Sequence, residues 1–183
     1  MKQKLESWLK ELEHVHRFLL PFLLNPVRYV AQIPPYRWPT LLLIQGTTSM
    51  VCGVLLGVTN QSWTDIAVAL TLYPPISVII GLVLSVFFYY YFLFFHATYL
   101  EIRALYAILV VAHLPYLILH ILSAIVPPID LVGFAMTCIL IHVGMVSQFH
   151  LEQRHSRRVL ITLYFVFAAM WGIGFVRRLP THL

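Results

Sequence analysis

The residues best equipped for chemistry in this chain sit inside its most apolar stretches. The segment "ILVVAHLPYLILH", residues 108 to 120, carries His113 and His120 seven positions apart. Seven residues rotate a helix by about two turns, so both imidazoles share one face, with Tyr106 seven positions earlier on the same stripe. Pro115 lies beside that stripe and frees a backbone carbonyl that an imidazole or a water can satisfy. A second set, Cys138, His142 and Met145, is spaced by four and three and shares a face of the next apolar run. A third, "QGTTS", gathers Gln45, Thr47, Thr48 and Ser49 in the first long apolar run.

Three kinds of chemistry fit these sets. Imidazoles in hydrocarbon can serve as interhelical glue, each bonded to a neighbouring helix and contributing about 1 kcal/mol. Histidine also titrates near neutrality, and ionisable groups within a membrane point by default to function. On that reading Gln45, Thr48, Ser49, Tyr106, His113, His120 and His142 line a wet cavity for a proton or solute. Thiolate, thioether and imidazole donors at Cys138, His142 and Met145 would suit a soft ion such as Cu(I) or Zn. No repeated ligand motif accompanies them, so they are weak metal candidates and no cofactor is expected. Asp65, Glu101, Asp130 and Glu152 all fall near the edges of apolar runs, which leaves no carboxylate expected at mid-membrane depth. There is no HExxH, no GxSxG, no P-loop and no aspartate pair within the apolar runs, so an enzyme is not expected.

The elements that position these residues follow from composition. The chain has 183 residues, of which 60% are hydrophobic and only 10% charged. Soluble domains carry about 25% charged residues, so this composition belongs to an integral membrane protein. Several apolar runs reach the ~20 residues a bilayer core demands of a helix. Spans are expected at 38–57, 75–95, 104–126, 130–149 and 158–176, with "VTNQSWTDIAVALTLYP" adding a short interfacial helix after the first. Prolines 34, 35, 39, 74, 75, 127 and 128 lie at run edges, where a missing N–H costs little. Ser49, Gly53 and Gly57 repeat at four-residue spacing, a small-residue pattern that lets helices approach closely, within the bundle or between copies. The fold expected is all-α: a polytopic bundle of five transmembrane helices over residues 21–178, with an outer tail at 179–183.

Residues 1–20 form an amphipathic helix. Leu5, Trp8, Leu12, Val15 and Leu19 share one face, and Lys4, Glu6, Lys10, Glu11, Glu13 and Arg17 the other. Such a helix lies in the headgroup region, meets a partner helix, or folds back on its own bundle. The acidic residues Glu6, Glu11 and Glu13, the break at Pro21 and the lack of a small-residue cleavage site argue against a cleavable signal. Ten of the twelve Lys and Arg residues fall on the side of the N-terminus, and only Arg177 and Arg178 on the other. That bias puts the N-terminus in the cytoplasm and the C-terminus outside. The net charge of +5 is too small and scattered for nucleic acid. Cys52 and Cys138 lie in apolar runs and imply no disulfide. On the inner side, Glu101 can pair with Arg103 of its own loop or with the basic "RHSRR" of the other, so Glu101, Arg103, Glu152 and Arg154 form a candidate clamp between the two loops, while Arg157 and Arg158 suit anionic lipid headgroups.

The order of features resembles the Yip1 family. A short lead, "LLNPVRYVAQIPPYRWPTLLLI", precedes five closely spaced spans, and its "NP.R" maps to Asn25, Pro26 and Arg28. "EIRALYAILVVAHLP" is similar to the family's inner loop entering a third span, through Arg103, Leu105, Ala112 and Pro115. The glycines usual in that loop are replaced by "FFHATYLEIR", and the long polar N-terminal region of eukaryotic members is missing. The resemblance implies a bacterial-type member in the inner membrane with a cytoplasmic N-terminus and no catalysis. The leading expectation is therefore a membrane-organising or interaction component whose partners are the lipid bilayer, other membrane proteins or further copies of itself. The alternative is a small transporter or channel built around the histidines.

Overall fold

Each long apolar run becomes one helix, and prolines or caps set most of the boundaries. The computed structural model describes residues 2–178, with side chains over residues 11–174. It comprises α1 (Lys2–Leu24), α2 (Pro26–Val30), α3 (Trp38–Thr59), α4 (Trp63–Thr71), α5 (Tyr73–His96), α6 (Ile102–Leu122), α7 (Ile129–Phe149) and α8 (Gln153–Arg178). There is no strand among the described residues. Helices α3, α5, α6, α7 and the Gln153–Gly174 part of α8 are long and apolar enough to cross a membrane. The architecture is that of an all-α, multi-pass membrane protein. Successive spans alternate in direction, so the starts of α3, α6 and α8 share one end, here the near end, with the opposite end the far end.

Helix α6 is the centre of the bundle. It packs on α3, α5 and α7, and Leu105, Ile108, Val111 and Ala112 along it are fully buried. Pro115 lies within α6 without ending it. At the hairpin between α5 and α6, Ala97 takes the left-handed conformation (φ 50°) that usually falls to glycine, so this loop makes its αL cap with an alanine. The outermost span, α8, packs on α7.

The amphipathic segment runs past its expected end. Pro21 is accommodated inside α1, and the break comes at Asn25, whose side chain accepts the Arg28 N–H while Pro26 opens α2. Val15, Phe18 and Phe22 of α1 face the bundle, whereas Leu20, Leu23 and Leu24 are exposed. Glu11 secures α1 to the start of α3 by accepting the Arg37 backbone N–H at 2.7 Å. Burial and the nearby Glu11 carboxylate push the Tyr36 phenol up to about 12. Gln148 on α7 holds α2 by donating to the Val30 carbonyl at 3.1 Å. The side chains of Leu5, Trp8, Lys4, Glu6 and Lys10, and the tail at 179–183, lie outside the described residues.

The short helix after the first span folds against it. A Cβ on Gly57 would lie 2.9 Å from the Ile66 nitrogen, and one on Gly53 would meet the Tyr73 ring and come within 2.8 Å of the Ala69 Cβ. Later residues of α4 thus meet earlier residues of α3, an antiparallel contact made close by the two glycines. The "GVLLG" spacing is used within the bundle.

Candidate functional site

The three histidines of the apolar runs have different surroundings, because each lies on a differently packed face. His120, near the far end of α6, approaches Asp130 in the first turn of α7, with Nδ1 2.8 Å from Oδ1. The carboxylate accepts, so Nδ1–H donates. Ser123 Oγ lies 3.4 Å from the same nitrogen and donates to the His120 carbonyl at 2.7 Å. His142 on α7 stands 3.0 Å through Nδ1 from Ser156 Oγ on α8. With that hydroxyl donating to Met145 Sδ at 3.9 Å, His142 is the donor on its other side. His113 has no hydrogen-bond partner among the described residues; its ring stacks on Tyr116 at 4.9 Å, and Tyr116 in turn stacks on His120 at 5.5 Å.

His113 and His120 border a cavity of about 430 Å³ between the spans. Its walls are largely apolar: Leu84 and Phe88 of α5, Leu109 and Leu117 of α6, Phe134 of α7 and Phe167 of α8. Helices α5 and α8 both line it, and each packs on other neighbours rather than on the other. Gln45 donates to the Ser77 carbonyl at 2.6 Å, and Ser77 Oγ to Ser49 Oγ at 3.0 Å, so α3 and α5 share a polar seam along the cavity wall. Gln45 Oε1 and Thr137 Oγ1 are buried without a partner among the described residues, and both side chains line the cavity. A ligand of 300–1,000 Å³ pockets typically meets this combination of apolar wall and few polar groups.

Toward the far end the cavity meets a second, more polar space of about 700 Å³. Asn60, Asp65, Ser123, Asp130 and Trp171 line this vestibule, and Tyr73 and His120 line both spaces. His120 therefore stands at the junction, bonded to one of the vestibule's two carboxylates.

The structure brings together Gln45, Ser49, His113 and His120 of the expected cavity set. Thr48 bonds back to the Ile44 carbonyl at 2.7 Å, and its side chain is not part of the lining. Tyr106 is fully buried against Trp38, ring centroids 5.3 Å apart, beneath Gly81 rather than in the cavity. His142 faces away, into a shallow apolar groove between α7 and α8 that Cys138 and Arg157 also line. Met145, by contrast, is fully buried, and no group of three His, Cys, Asp or Glu side chains converges as a metal site among the described residues.

The inner-loop carboxylates pair locally. Glu101 reaches Arg103 at 2.8 Å and Glu152 reaches His155 at 3.0 Å, each within its own loop. What crosses between the loops is the stack of His96 on His155, ring centroids 4.0 Å apart. Arg154, Arg157 and Arg158 are exposed at the near end. Sequence reading passed over Tyr116, Thr137, Ser77 and the two far-end aspartates. The signal for Asp130 was its place just across a tight hairpin from His120, two residues into α7 as His120 is two residues from the end of α6.

Compared with family models, curated proteins and solved structures, the chain matches none of them.

Proposed function

We propose that this chain is a non-enzymatic, multi-pass membrane protein, Yip1-like in its order of helices, that holds an amphiphilic molecule in the cavity between α5 and α8. By sequestering or moving that molecule it organises the membrane around it. The observation that carries this reading is the join at His120 and Tyr73 between an apolar intramembrane cavity and a polar vestibule. An amphiphile has the same two-part character. The predominance of Leu, Ile and Phe in the deeper cavity disfavours a water-filled ion path, because a permeating ion needs polar groups in place of its hydration shell. The positive-inside count supports a cytoplasmic near end in the inner membrane, with the vestibule and C-terminus outside.

A second reading, an interaction component, is favoured by the exposed Leu20, Leu23, Leu24 and Val27 beside Arg17 and Arg28 at the near end. Apolar side chains next to basic ones suit a membrane surface or a partner helix.

Native mass spectrometry of the protein released from nanodiscs tests both readings. Leu84→Trp and Leu163→Trp each push an indole into the cavity, from α5 and from α8. Retention of an amphiphile by the wild type, falling at least tenfold in both variants, is the expected result. Equal retention by all three proteins overturns the cavity reading. A near-stoichiometric protein partner, with no amphiphile bound, puts the second reading first.

A further inference from the structure

The groove between α7 and α8 lies behind the cavity, with Cys138 and Leu160 lining both spaces as the partition between them. Ile139, Ile161 and Phe165 on its walls are exposed, so in a bilayer it opens toward lipid. It has a volume of about 430 Å³. Along α8 it runs from Arg157 to Phe165, about 12 Å at 1.5 Å per residue. The two helices are antiparallel neighbours, so Arg157 and His142 stand at its near end and Phe165 and Ala135 at its deep end.

The charge at the mouth sets this groove apart from an ordinary lipid-facing crevice. Its surface is almost wholly apolar, so Arg157 adds its methylene stem to the wall and keeps the guanidinium at the mouth. Arg154, three residues earlier, shares that face of α8. Arg17, Arg37 and Arg103 each meet a carboxylate, from Glu13, Glu11 and Glu101. Arg154, Arg157 and Arg158 meet none among the described residues, and the acid of their own loop, Glu152, is held by His155 at 3.0 Å. A general bias toward basic residues on one membrane face accounts for arginines at this end. It does not account for one of them standing over an apolar groove.

We propose that this groove seats one anionic glycerophospholipid. The guanidinium of Arg157 takes the phosphate, with Arg154 beside it, and an acyl chain lies along the groove past Ile161 toward Ala135 and Phe165. Guanidinium pairs with phosphate through two parallel charge-assisted bonds. A zwitterionic lipid offers the same chain and phosphate but adds an ammonium, which meets the neighbouring arginines as a like charge. Arg158 is turned about 100° from Arg157 around the helix and does not line the groove, so it adds only to the general surface charge. The seat is separate from the cavity between α5 and α8 and does not depend on that cavity having an occupant.

The test is native mass spectrometry of the full chain released from nanodiscs of equal parts phosphatidylglycerol and phosphatidylcholine with identical chains. Wild type is expected to retain one phosphatidylglycerol, favoured over phosphatidylcholine at least tenfold, equivalent to about 1.4 kcal/mol. Arg157→Gln should cut that preference to about twofold or less, whereas Arg158→Gln, the same change of charge one residue away, should keep it within about twofold of wild type. Both side chains are exposed, so neither change threatens the fold. Ala135→Phe fills the deep end of the groove and should lower phosphatidylglycerol retention several-fold, while Leu84→Trp, which fills the cavity, should leave it unchanged. Equal retention of the two lipids by wild type, or equal losses in Arg157→Gln and Arg158→Gln, overturns the site in favour of diffuse surface charge. Full retention by Ala135→Phe with loss in Leu84→Trp puts the lipid in the cavity and overturns the groove.

Discussion

The contact between α3 and α4 is the most sharply testable feature of the fold, because two glycines permit it and two others serve as controls. At Gly57 a methyl group would sit 2.9 Å from the Ile66 nitrogen and 3.2 Å from the Asp65 carbonyl carbon, both of them backbone atoms. Neither can swing aside, so α4 as a whole must move. Overpacking of this kind costs about 1–3 kcal/mol. Replacing glycine by alanine in a helix returns at most about 1 kcal/mol. Relative to Gly172→Ala, which gains the same propensity without the clash, Gly57→Ala should therefore destabilise by about 1–3 kcal/mol. Gly53→Ala meets the Tyr73 ring, which can rotate, and the Ala69 Cβ at 2.8 Å, which cannot; a smaller loss is expected there. Gly172 and Gly174 have nothing within 4 Å of an added Cβ, so alanine at either should be neutral or slightly stabilising. Unfolding in mixed micelles of rising dodecyl sulfate fraction, followed by circular dichroism and intrinsic fluorescence, gives the comparison. If Gly57→Ala proves as stable as Gly172→Ala, α4 does not lie against α3 and the vestibule loses one wall.

Two further predictions rest on single side chains. The His120–Asp130 bond joins α6 to α7, and a cycle of His120→Ala, Asp130→Ala and the double variant should give a coupling of about 0.6 and at most about 1.7 kcal/mol, read in the same micelle titration; zero coupling would mean the two side chains do not meet. Tyr36 is buried and its Oη has no partner among the described residues, so Tyr36→Phe should be neutral or slightly stabilising at pH 8. Its folded-state value, about 12, lies above the unfolded value near 10, so the folded state prefers the protonated phenol. The associated stability is complete below pH 10 and is lost as pH rises toward 12, by up to about 2 kcal/mol. Wild type should lose stability relative to Tyr36→Phe across that window, and parallel melting curves for the two would refute the burial of this phenol.

Much of this architecture is legible in the sequence, for identifiable reasons. Hydrophobic length finds the spans because a bilayer imposes it on any crossing helix, and prolines find several starts because the first turn needs no N–H from them. The end of α1 was less legible: Pro21 reads as a stop, yet the actual break needs the Asn25 cap with Pro26 behind it. Periodicity placed Cys138 and His142 on one face, and they do share a groove. It could not say which neighbour that face meets, because helix spacing fixes azimuth within a helix and nothing about rotation between helices. For that reason His113 and His142, similar in one dimension, part company in three. The same holds for the inner loops, where Glu101 could pair with Arg103 or reach across to the other loop: the local pair forms, and Glu152 likewise takes His155 a few residues away, at less cost in loop ordering than a clamp across the gap.

The histidines themselves show why glue and pathway need not compete. His142 and His120 each offset the cost of an imidazole in hydrocarbon by bonding across a helix pair, α7 to α8 and α6 to α7. Among the described residues His113 has only the face of Tyr116 and no hydrogen-bond partner, and its ring borders the cavity. A polar group left unmatched in an apolar setting costs more than one exchanged for an apolar residue of similar shape. Gln45 and Thr137 repeat the pattern on two other walls of the same space. His113, Gln45 Oε1 and Thr137 Oγ1 thus border one space from three helices without partners among the described residues, while Thr40 and Tyr106 carry buried unpartnered hydroxyls elsewhere, so orphaned polar atoms in this bundle mark tight apolar packing as well as the cavity wall.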